Sequence, residues 1–503
     1  MFVERFFVGN SMTKRKIVKR RRYQQRKKAK VVRERYVKPR WKFLSVDKKG
    51  IMHIGGASVK SIEKRYGTPV YVIVESELRD RLRRFKKAFP YPRLRPQYPG
   101  KSNTNLEILR IVREEGFDLD ASSVGEIILG MLADFRPNEI TFTNLYKTEQ
   151  DIMFAARVGV MAITLDSFEE IKKVEKVGAI LKKKIRVFIR FNPRIDVGNY
   201  STKKHKYGIN IGLAEKAVDS VLSSKHLELV GLHFHGSYIF NPKVYTIAAK
   251  RLLRIARYAH DKGARIRYID LGGGFPYDGI HGSKEYFKPE DMGKKFVRDF
   301  SAMVEKLQLP APILIFEPGK FIVSNTGVGL IKVISKKNMG KNRKLIVTDG
   351  STYAFLPDVM IYHQSYDILP ATKMRKKRIH QYTVAGCTCD CADVLATNRW
   401  MPSLVENDIL AVMDCGAYSN AMSSNFNNLK RAPMIMIKES GSIKLIRRRD
   451  RYSEMFAPEL DVLKVADPNE LKKFYNMFRV NMNNVWKGSS KNGNEKHKKS
   501  GSR

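Results

Sequence analysis

The chain has 503 residues, of which 43% are hydrophobic and 10% aromatic, and this composition excludes an intrinsically disordered protein. No apolar run reaches the ~18 residues of a membrane-spanning helix, and the amino-terminal segment is too short and too interrupted for a signal peptide. The formal net charge is +45, because 95 Lys and Arg face only 50 Asp and Glu. The sequence therefore predicts a globular, cytoplasmic protein that does not associate with a membrane.

Much of the excess positive charge lies at residues 14–40. This segment contains one acidic residue, Glu34, and shows no apolar periodicity, so residues 1–40 are predicted to form a basic disordered tail. Such a tail binds RNA or another polyanion through phosphate contacts, without sequence preference. Because basic clusters such as LKKKIR continue in the body, the preferred interpretation is a chain that is simply basic throughout, and RNA or polyanion binding by the tail is the alternative.

From residue 69 onward, apolar segments typical of buried strands alternate with amphipathic segments typical of helices. After a first apolar segment at 69–74, the predicted strands lie at 95–100, 119–121, 140–143, 162–165, 186–191, 227–234, 267–271 and 313–317. Helical segments lie between them, at 106–115, 126–133, 149–158, 168–177, 214–223 and 246–262. Eight strands in regular alternation with helices predict a TIM-type (β/α)8 barrel, whose site is built from the carboxyl ends of the strands.

After residue 317 the pattern changes to short strands separated by turns. These predicted strands lie at 328–334, 344–348, 381–384, 409–412, 434–438 and 443–447. They predict a C-terminal antiparallel β domain over 317–466, to which residues 41–74 contribute, while the barrel occupies 75–316. Residues 467–503 are predicted to form a helix, to about residue 478, and then a polar tail.

The segment 265–275, RIRYIDLGGGF, places Gly272, Gly273 and Gly274 directly after a predicted strand. Glycines allow a sharp turn whose backbone N–H groups point at one spot, which suits a phosphate group. An ordinary glycine turn has the same sequence pattern. The triplet alone therefore leaves both interpretations open.

Reactive side chains follow other predicted strands. They are Lys101, Asp120, Glu126, His233, His235, Ser237 and Glu317. A lone lysine is usually a solvated surface residue, and a lone histidine is usually a hydrogen-bonded core residue. Together with the glycines, the set suits an aldehyde cofactor that carries a phosphate: a lysine bonds to the aldehyde, an imidazole stacks on the ring, and a carboxylate keeps a ring nitrogen protonated.

An ordered series of motifs extends over residues 67–433. The motifs are YPGKSN, FDLDASSVGE, GLHFHGS, IDLGGGF, FEPGK, GCTCDCADVLA and CGAYSNAMSSNFN. In this order the sequence resembles the fold-type III pyridoxal-phosphate decarboxylases, the group that holds diaminopimelate decarboxylase and eukaryotic-type ornithine decarboxylase. Spacing and the last motif are most similar to diaminopimelate decarboxylases. The resemblance implies pyridoxal 5'-phosphate as the cofactor.

The resemblance also implies roles for the matching residues. Lys101 matches the lysine that bonds to the cofactor, His235 the imidazole on the cofactor's face, and Glu317 the partner of the ring nitrogen. The other implied cofactor contacts are Asp120, Glu126, Ser237, Gly272, Gly273, Gly274, Gly319, Lys320 and Tyr418.

A second set of matching residues concerns the substrate. Cys389 matches the cysteine that returns a proton to the decarboxylated carbon, and Asp390 matches the acid that meets the distal amine. Lys320 and Tyr418 are further implied substrate contacts. In this family the loop with the Cys-acid pair comes from the neighbouring subunit, so a homodimer is implied.

Several residues depart from the family pattern. Lys320 stands where the family usually has an arginine after EPG, which removes a bidentate fork. A second family arginine, which holds the distal carboxylate, is missing from DGSTYAFLPDVMIY, where Leu356 precedes the proline. HFHGS is one residue shorter than the usual HxHxGS, and Asp390 replaces the glutamate usual in diaminopimelate decarboxylases. These departures affect the substrate more than the cofactor.

Four cysteines are too few for a disulfide scaffold in a chain of this length. Cys387, Cys389 and Cys391 alternate, so on an extended segment they face one way, with Asp390 and Asp393 near enough to make a metal site the alternative interpretation. No second Cys/His cluster lies close by in the sequence, and a cation would spoil Cys389 as an acid. The proton-donor interpretation is therefore preferred, and no metal is predicted.

The sequence thus predicts a pyridoxal-phosphate-dependent amino-acid decarboxylase of lysine biosynthesis, with meso-diaminopimelate as the first candidate substrate and L-lysine as the product. One alternative is decarboxylation of another basic amino acid, such as ornithine or lysine, or of a carboxylated polyamine. A further alternative is an inactive barrel that acts as an RNA-associated protein through its basic tail.

Overall fold

The computed structural model describes residues 40–277, 286–340, 343–466, 469, 472, 473 and 476. The predicted basic tail before Arg40, the polar tail at the end of the chain and most of the predicted helix at 467–478 therefore lie outside the described residues. The guanidinium of Arg40 forms an ion pair with Asp414. Within the described residues, no helix is long and apolar enough to cross a membrane.

The described chain begins with a small antiparallel sheet. Its strands are β1 (Leu44–Val46), β2 (Met52–Ile54) and β3 (Ala57–Ser58). Helix α1 (Val59–Tyr66) follows and leads into strand β4 (Val70–Val74), a continuous apolar run that is buried along its whole length. β4 belongs to a second, larger sheet rather than to the barrel.

In the described part of the chain, eight parallel strands form the barrel. They are β5 (Gln97–Pro99), β6 (Asp118–Ala121), β7 (Ile140–Thr143), β8 (Ala162–Leu165), β9 (Ile185–Asn192), β13 (Leu227–His233), β14 (Tyr268–Asp270) and β15 (Ile313–Ile315), with the short strands β10 (Asp196–Val197), β11 (Tyr200–Ser201) and β12 (Ile209–Asn210) after β9. The barrel closes where Gln97 N donates a hydrogen bond to Phe316 O at 2.8 Å. The prediction of a (β/α)8 barrel is confirmed.

Helices pack around these strands. They are α2 (Glu75–Ala88), α3 (Leu106–Glu114), α4 (Val124–Leu132), α5 (Glu149–Val158), α6 (Phe168–Leu181), α7 (Ala214–Leu222), α8 (Lys243–Asp261) and α9 (Pro289–Lys306). Hydroxyl side chains fix several of their starts: Ser123, Thr148 and Ser167 each accept a backbone N–H from the first turn of the helix that follows. The caps set where each strand-to-helix loop ends, and these loops surround the site.

The second sheet contains β4 and most of the strands that follow the barrel. Two short helices, α10 (Gly319–Val323) and α11 (Pro357–Ile361), flank the cavity side of this part of the chain. The strands are β16 (Gly327–Asn338), β17 (Arg343–Thr348), β18 (Ile368–Leu369), β19 (His380–Ala385), β20 (Val394–Met401), β21 (Ile409–Met413), β22 (Met434–Ile437) and β23 (Ile443–Arg447), with helix α12 (Ser419–Met422) before β22. Most neighbours are antiparallel, but β4 pairs with β22, and β17 with β19, in parallel.

Residues 428–430 and 449–466 belong to a separate compact unit. It contains helices α13 (Tyr452–Met455) and α14 (Ala457–Ala466). Within this unit, the ammonium of Lys430 lies 3.9 Å from the centroid of the Tyr452 ring. Both helices begin before residue 467, where the sequence analysis expected helix to start.

Candidate active site

A cavity of about 240 Å³ lies at the carboxyl ends of the barrel strands, where parallel barrels place their active sites. The predicted site residues that line it are Lys101, His235, Ser237, Gly273, Gly274, Glu317, Gly319, Lys320 and Tyr418. The cavity thus joins the ends of β5, β13, β14 and β15 to the loop before α12.

Lys101 follows β5 in a short 3-10 turn, Gly100–Ser102. Its Nζ donates a hydrogen bond of 2.9 Å to Oδ2 of Asp120, which is fully buried at the end of β6. Burial lowers the pKa of Lys101, but the charges of Asp120 and Glu317 outweigh burial and raise it above its ordinary value. The cofactor-free site therefore holds Lys101 as an ammonium group beside a buried carboxylate.

Glu126 lies behind Lys101 and is not among the described residues that line the cavity. Its Oε2 accepts the backbone N–H of Ser122 at 2.7 Å, and a Cβ at Gly100 would lie 3.2 Å from the same oxygen. Burial raises the pKa of Glu126 despite the Ser122 hydrogen bond. This carboxyl group therefore packs against the turn that carries Lys101.

Glu317 follows β15 and is only 2% exposed. Its Oε1 lies 3.1 Å from His233 Nε2, and its Oε2 lies 3.1 Å from His235 Nδ1. Burial by itself raises the pKa of Glu317, but hydrogen bonds from the two imidazoles and the charge of Lys101 lower it well below its ordinary value. The cavity wall thus contains a buried carboxylate that stays ionised.

The glycine turn after β14 contributes only part of its backbone to the cavity. Gly272 has φ +63°, and its N–H donates to Asp270 Oδ1 at 2.8 Å, so this donor is already used. Gly274 has φ +99°, and a Cβ there would lie 2.5 Å from the carbonyl oxygen of Gly236. Gly273 and Gly274, but not Gly272, border the cavity. The backbone cradle is therefore smaller than the predicted triplet.

Lys320, on α10, lies among tyrosine rings. Its Nζ donates a hydrogen bond to the Tyr238 hydroxyl at 3.2 Å and lies 4.3 Å from the centroid of that ring. The same nitrogen is 5.5 Å from the Tyr418 ring and 5.9 Å from the Tyr362 ring. Burial lowers the pKa of Lys320. A single ammonium therefore stands where the family arginine would present a planar fork.

Ser102 connects the lysine turn to the other side of the cavity. Its hydroxyl donates to the Tyr418 hydroxyl at 3.3 Å, and its carbonyl oxygen accepts the Tyr418 N–H at 2.8 Å. A Cβ at Gly319 would lie 2.1 Å from Ser102 Oγ, so only glycine fits there. These contacts fix Tyr418 beside the turn that carries Lys101.

Cys389 and Asp390 are not among the described residues that line the cavity. Cys389 is exposed, and its Sγ accepts a hydrogen bond from Asn427 Nδ2 at 3.4 Å. Asp390 accepts the Tyr353 hydroxyl on Oδ2 and the Ala392 N–H on Oδ1, the latter at 2.9 Å. These hydrogen bonds lower the pKa of Asp390. Within a single chain the predicted proton donor is thus exposed, and its half-buried acidic neighbour lies outside the cavity lining.

Other described residues that line the cavity were not selected from the sequence. Most are aromatic, and they are Pro99, Tyr207, Tyr238, Phe240, Phe275, Pro276, Tyr277, Tyr362 and Gln364. Tyr238 directly follows the HFHGS motif, which was a usable signal. Tyr207 had no such signal, because it lies in the long loop after β9, yet its ring meets the His235 ring edge-on with centroids 5.7 Å apart.

Comparison with known proteins places this site in a family. The family model of the pyridoxal-binding domain of pyridoxal-dependent decarboxylases matches residues 75–324. Diaminopimelate decarboxylase of Aquifex aeolicus is 31% identical over 422 residues, which cover 82% of this chain and 96% of that protein. The enzyme of the same name from Methanothermobacter thermautotrophicus is 31% identical over 423 residues, with the same two coverages.

Solved structures agree with the sequence relatives. The crystal structure of diaminopimelate decarboxylase from M. jannaschii in co-complex with L-lysine has a TM-score of 0.76 and 25% sequence identity, covering 83% of this chain and 97% of that one. Fold and site therefore define a pyridoxal-phosphate-dependent amino-acid decarboxylase of fold type III. The chain belongs to the diaminopimelate decarboxylase family.

The residues of the cavity fit pyridoxal phosphate. The wall offers one lysine amine, an imidazole, a buried ionised carboxylate and a glycine turn, which are the donor types that this aldehyde, ring and phosphate require. At Gly273 a Cβ would lie 2.5 Å from the carbonyl oxygen of Glu317, so a side chain would fill the cradle. Asp120 Oδ1 is buried without a hydrogen-bond partner in the described residues, which leaves capacity beside Lys101.

Proposed function

We propose that this enzyme decarboxylates meso-diaminopimelate to L-lysine and carbon dioxide. The observation that carries the proposal is the convergence of Lys101, His235 and Glu317 on one cavity beside the glycine turn. Support for the substrate comes from the relatives, because the diaminopimelate decarboxylases named above align with this chain over nearly their full length.

Pyridoxal phosphate, when bound, supplies an aldehyde that joins amines and a ring that accepts electrons as carbon dioxide leaves. Lys101 provides the amine that holds it, and must first give up a proton, for which Asp120 Oδ2 at 2.9 Å is the adjacent acceptor. Glu317, which stays ionised, would keep a proton on the ring nitrogen. His235 would hold the ring with its imidazole, and the backbone at Gly273 and Gly274 would hold the phosphate.

We further propose that Cys389 protonates the product carbon and that it acts in the cavity of a second copy of this chain. Cys389 is exposed and Asp390 half-buried in one chain, and neither lines its own cavity, although proton transfer requires hydrogen-bond reach. A homodimer in which residues 317–466 of one copy complete the barrel site of the other resolves this separation. Such isologous exchange is natural for a two-fold dimer.

A second substrate class is supported by a specific observation. No arginine is among the described residues that line the cavity, and the single ammonium of Lys320 is already hydrogen-bonded to Tyr238. A weaker site for a distal carboxylate favours basic substrates that lack one, such as ornithine or lysine. In both cases the distal amine would meet Asp390.

A substrate panel separates these proposals. Purified enzyme loaded with pyridoxal phosphate is assayed for carbon dioxide release from meso-, LL- and DD-diaminopimelate, ornithine, lysine and arginine, in cytosol-like buffer. We expect the highest kcat/KM for the meso isomer, with L-lysine as the product. A higher value for ornithine or lysine would replace the proposed substrate, and no release from any of them would favour the RNA-associated alternative.

A further inference from the structure

One carboxylate oxygen of Glu317 is held by a residue that never reaches the cavity. His233 is fully buried at the end of β13, and its Nε2 lies 3.1 Å from Glu317 Oε1. His235, on the other oxygen, lines the cavity, whereas His233 lies behind Glu317. The two imidazole rings are nearly parallel, at 19°. Glu317 is therefore hydrogen-bonded by one histidine on the barrel interior and by another that lines the cavity.

The surroundings of His233 define its tautomer. Its Nδ1 is buried and has no hydrogen-bond partner within the described residues. A buried N–H without an acceptor is costly, so the proton belongs on Nε2, where Glu317 Oε1 accepts it. Burial also lowers the pKa of His233, so the ring is neutral. His233 thus gives Glu317 a hydrogen bond without adding a charge to the barrel core.

Glu317 needs that donor because burial alone favours the protonated acid. Removing one of its two imidazole partners shifts the balance toward uptake of a proton. The other ionisable groups around this pair are Lys101, Asp120, Arg190, His235, Tyr245 and Asp270. Of these, His235 and Lys101 favour the ionised form of Glu317, whereas Asp270 opposes it.

We propose that His233 is a positioning residue that keeps Glu317 ionised and its free lone pair directed at the ring nitrogen of the cofactor. The inference rests on the role of Glu317 stated under Proposed function. It assigns to the first histidine of HFHGS a part in cofactor binding, even though this side chain touches neither cofactor nor substrate.

The test measures binding of pyridoxal phosphate to cofactor-stripped protein between pH 6 and pH 9. His233→Leu removes the donor, whereas His233→Gln places an amide N–H at a similar reach. The matched control is His226→Gln, a histidine just before the other end of the same strand β13. Each dissociation constant is divided by the wild-type value at the same pH, so that titration of Lys101 and of the free cofactor cancels.

We expect roughly 10- to 100-fold weaker binding by His233→Leu at pH 6, because a hydrogen bond to a charged group is lost and Glu317 becomes protonated. The ratio should fall toward one as pH rises and Glu317 ionises again. The dissociation constants of His233→Gln and His226→Gln should stay within about threefold of the wild-type value at every pH, and their ratios to the wild type should not change with pH.

Two results would overturn the proposal: His233→Leu that binds like the wild type, or leucine and glutamine variants that are equally weakened with no pH trend. If His233→Leu does not fold, His233→Asn, whose amide is too short to reach Glu317, must show the same pH-dependent loss. Glu317→Gln is measured in parallel. Normal binding by that variant would instead refute the proposed role of Glu317, whereas impaired binding beside a normal His233→Leu refutes the inference alone.

Discussion

Two equally buried carboxyl groups, one on the barrel and one on a helix after it, have pKa values that shift in opposite directions. Glu317, on the barrel side, and Asp358, on α11, are each 2% exposed. Glu317 has an imidazole partner on each oxygen, and its pKa lies well below the ordinary value. Burial raises the pKa of Asp358, although the Tyr366 hydroxyl, the charge of Lys320 and two backbone N–H groups act to lower it. The two pKa values therefore shift in opposite directions at equal burial, because the two imidazole hydrogen bonds of Glu317 outweigh burial whereas the hydrogen bonds of Asp358 do not.

The same contrast separates the two halves of the site. On the barrel side, charged groups are paired by short contacts, as in Lys101 with Asp120, and they match the family motifs. On the side formed after residue 317, the tyrosine-bound Lys320 departs from the family pattern, and Cys389, which matches it, is exposed. We infer that the cofactor half is built within one chain, whereas the substrate half depends on a second copy.

The strongest test of this division uses two inactive variants. Lys101→Ala should lose covalent attachment of the cofactor and all measurable turnover. Cys389→Ala should keep the cofactor and lose ~10²–10⁴ in kcat, because it removes a general acid. When the two variants are unfolded together and refolded, half of the dimers are hybrids with one intact site each, so activity should return to about one quarter of the wild-type value.

Controls for this experiment come from the neighbouring thiols. Cys387→Ala and Cys391→Ala should retain turnover within a few-fold, since neither thiol is assigned a proton to transfer. Equal loss in all three cysteine variants, together with zinc in the purified protein, would support the metal alternative. Failure of the mixed variants to regain activity would contradict a shared site.

A second test concerns the changed half. Lys320→Met should raise KM for meso-diaminopimelate by roughly tenfold, because a partly desolvated ion pair is lost, while kcat changes less. For lysine or ornithine the same variant should change KM little, since neither carries a distal carboxylate. Lys336→Met, at an exposed lysine on β16, is the control. An equal rise in KM for all substrates would assign Lys320 to the cofactor phosphate instead.

The comparison of Glu317 with Asp358 predicts opposite pH effects on stability. A carboxyl group whose pKa is lower in the folded state stabilises the fold above its unfolded pKa, and this stabilisation is lost as pH falls. Glu317→Gln should therefore be destabilising at pH 7 and less so near pH 4. A carboxyl group whose pKa is higher in the folded state stabilises the fold below its unfolded pKa near 3.8, and this stabilisation is lost as pH rises. The stability of Asp358→Asn relative to the wild type should therefore increase from pH 4 to pH 7.

Thermal unfolding of cofactor-free protein at pH 4, 5.5 and 7 measures both trends. Each pH unit between the folded and unfolded pKa values changes the free energy of unfolding by about 1.4 kcal/mol. Parallel trends in the two variants would contradict the opposite directions of the two pKa shifts.

The sequence predicts the barrel well where strands are continuous apolar runs bounded by turns. Strands β7 and β8 begin and end at the predicted residues, and the others differ by a few residues. Strand β20 was not predicted, since its run LATNRW is polar and Asn398 has φ +57° where the pairing register shifts. The parallel strand pairs in the second sheet were also not predicted, because the relative direction of two strands depends on which distant segments of the chain pair.

Prediction of the site follows the same division. Lys101, His235 and Glu317 stand at strand ends, so the barrel topology alone brings them to one edge. Tyr207 and Tyr362 reach the cavity from loops and a short helix that have no periodicity, and sequence spacing gives no indication of their approach. The hydrogen bond from His233 to Glu317 required coordinates, since a core histidine has many possible partners.

The smallest expected effect concerns the basic tail. Because Arg40 pairs with Asp414, a truncation should remove residues 1–39 and retain Arg40. We expect unchanged kcat and KM, since none of the residues assigned to the site belongs to this segment. If the tail binds polyanions, the full chain should bind RNA with an affinity that falls steeply as salt rises, and the truncated chain should bind more weakly at the same salt. Equal binding by both chains, or no binding at physiological salt, would show that the tail is only solvated charge.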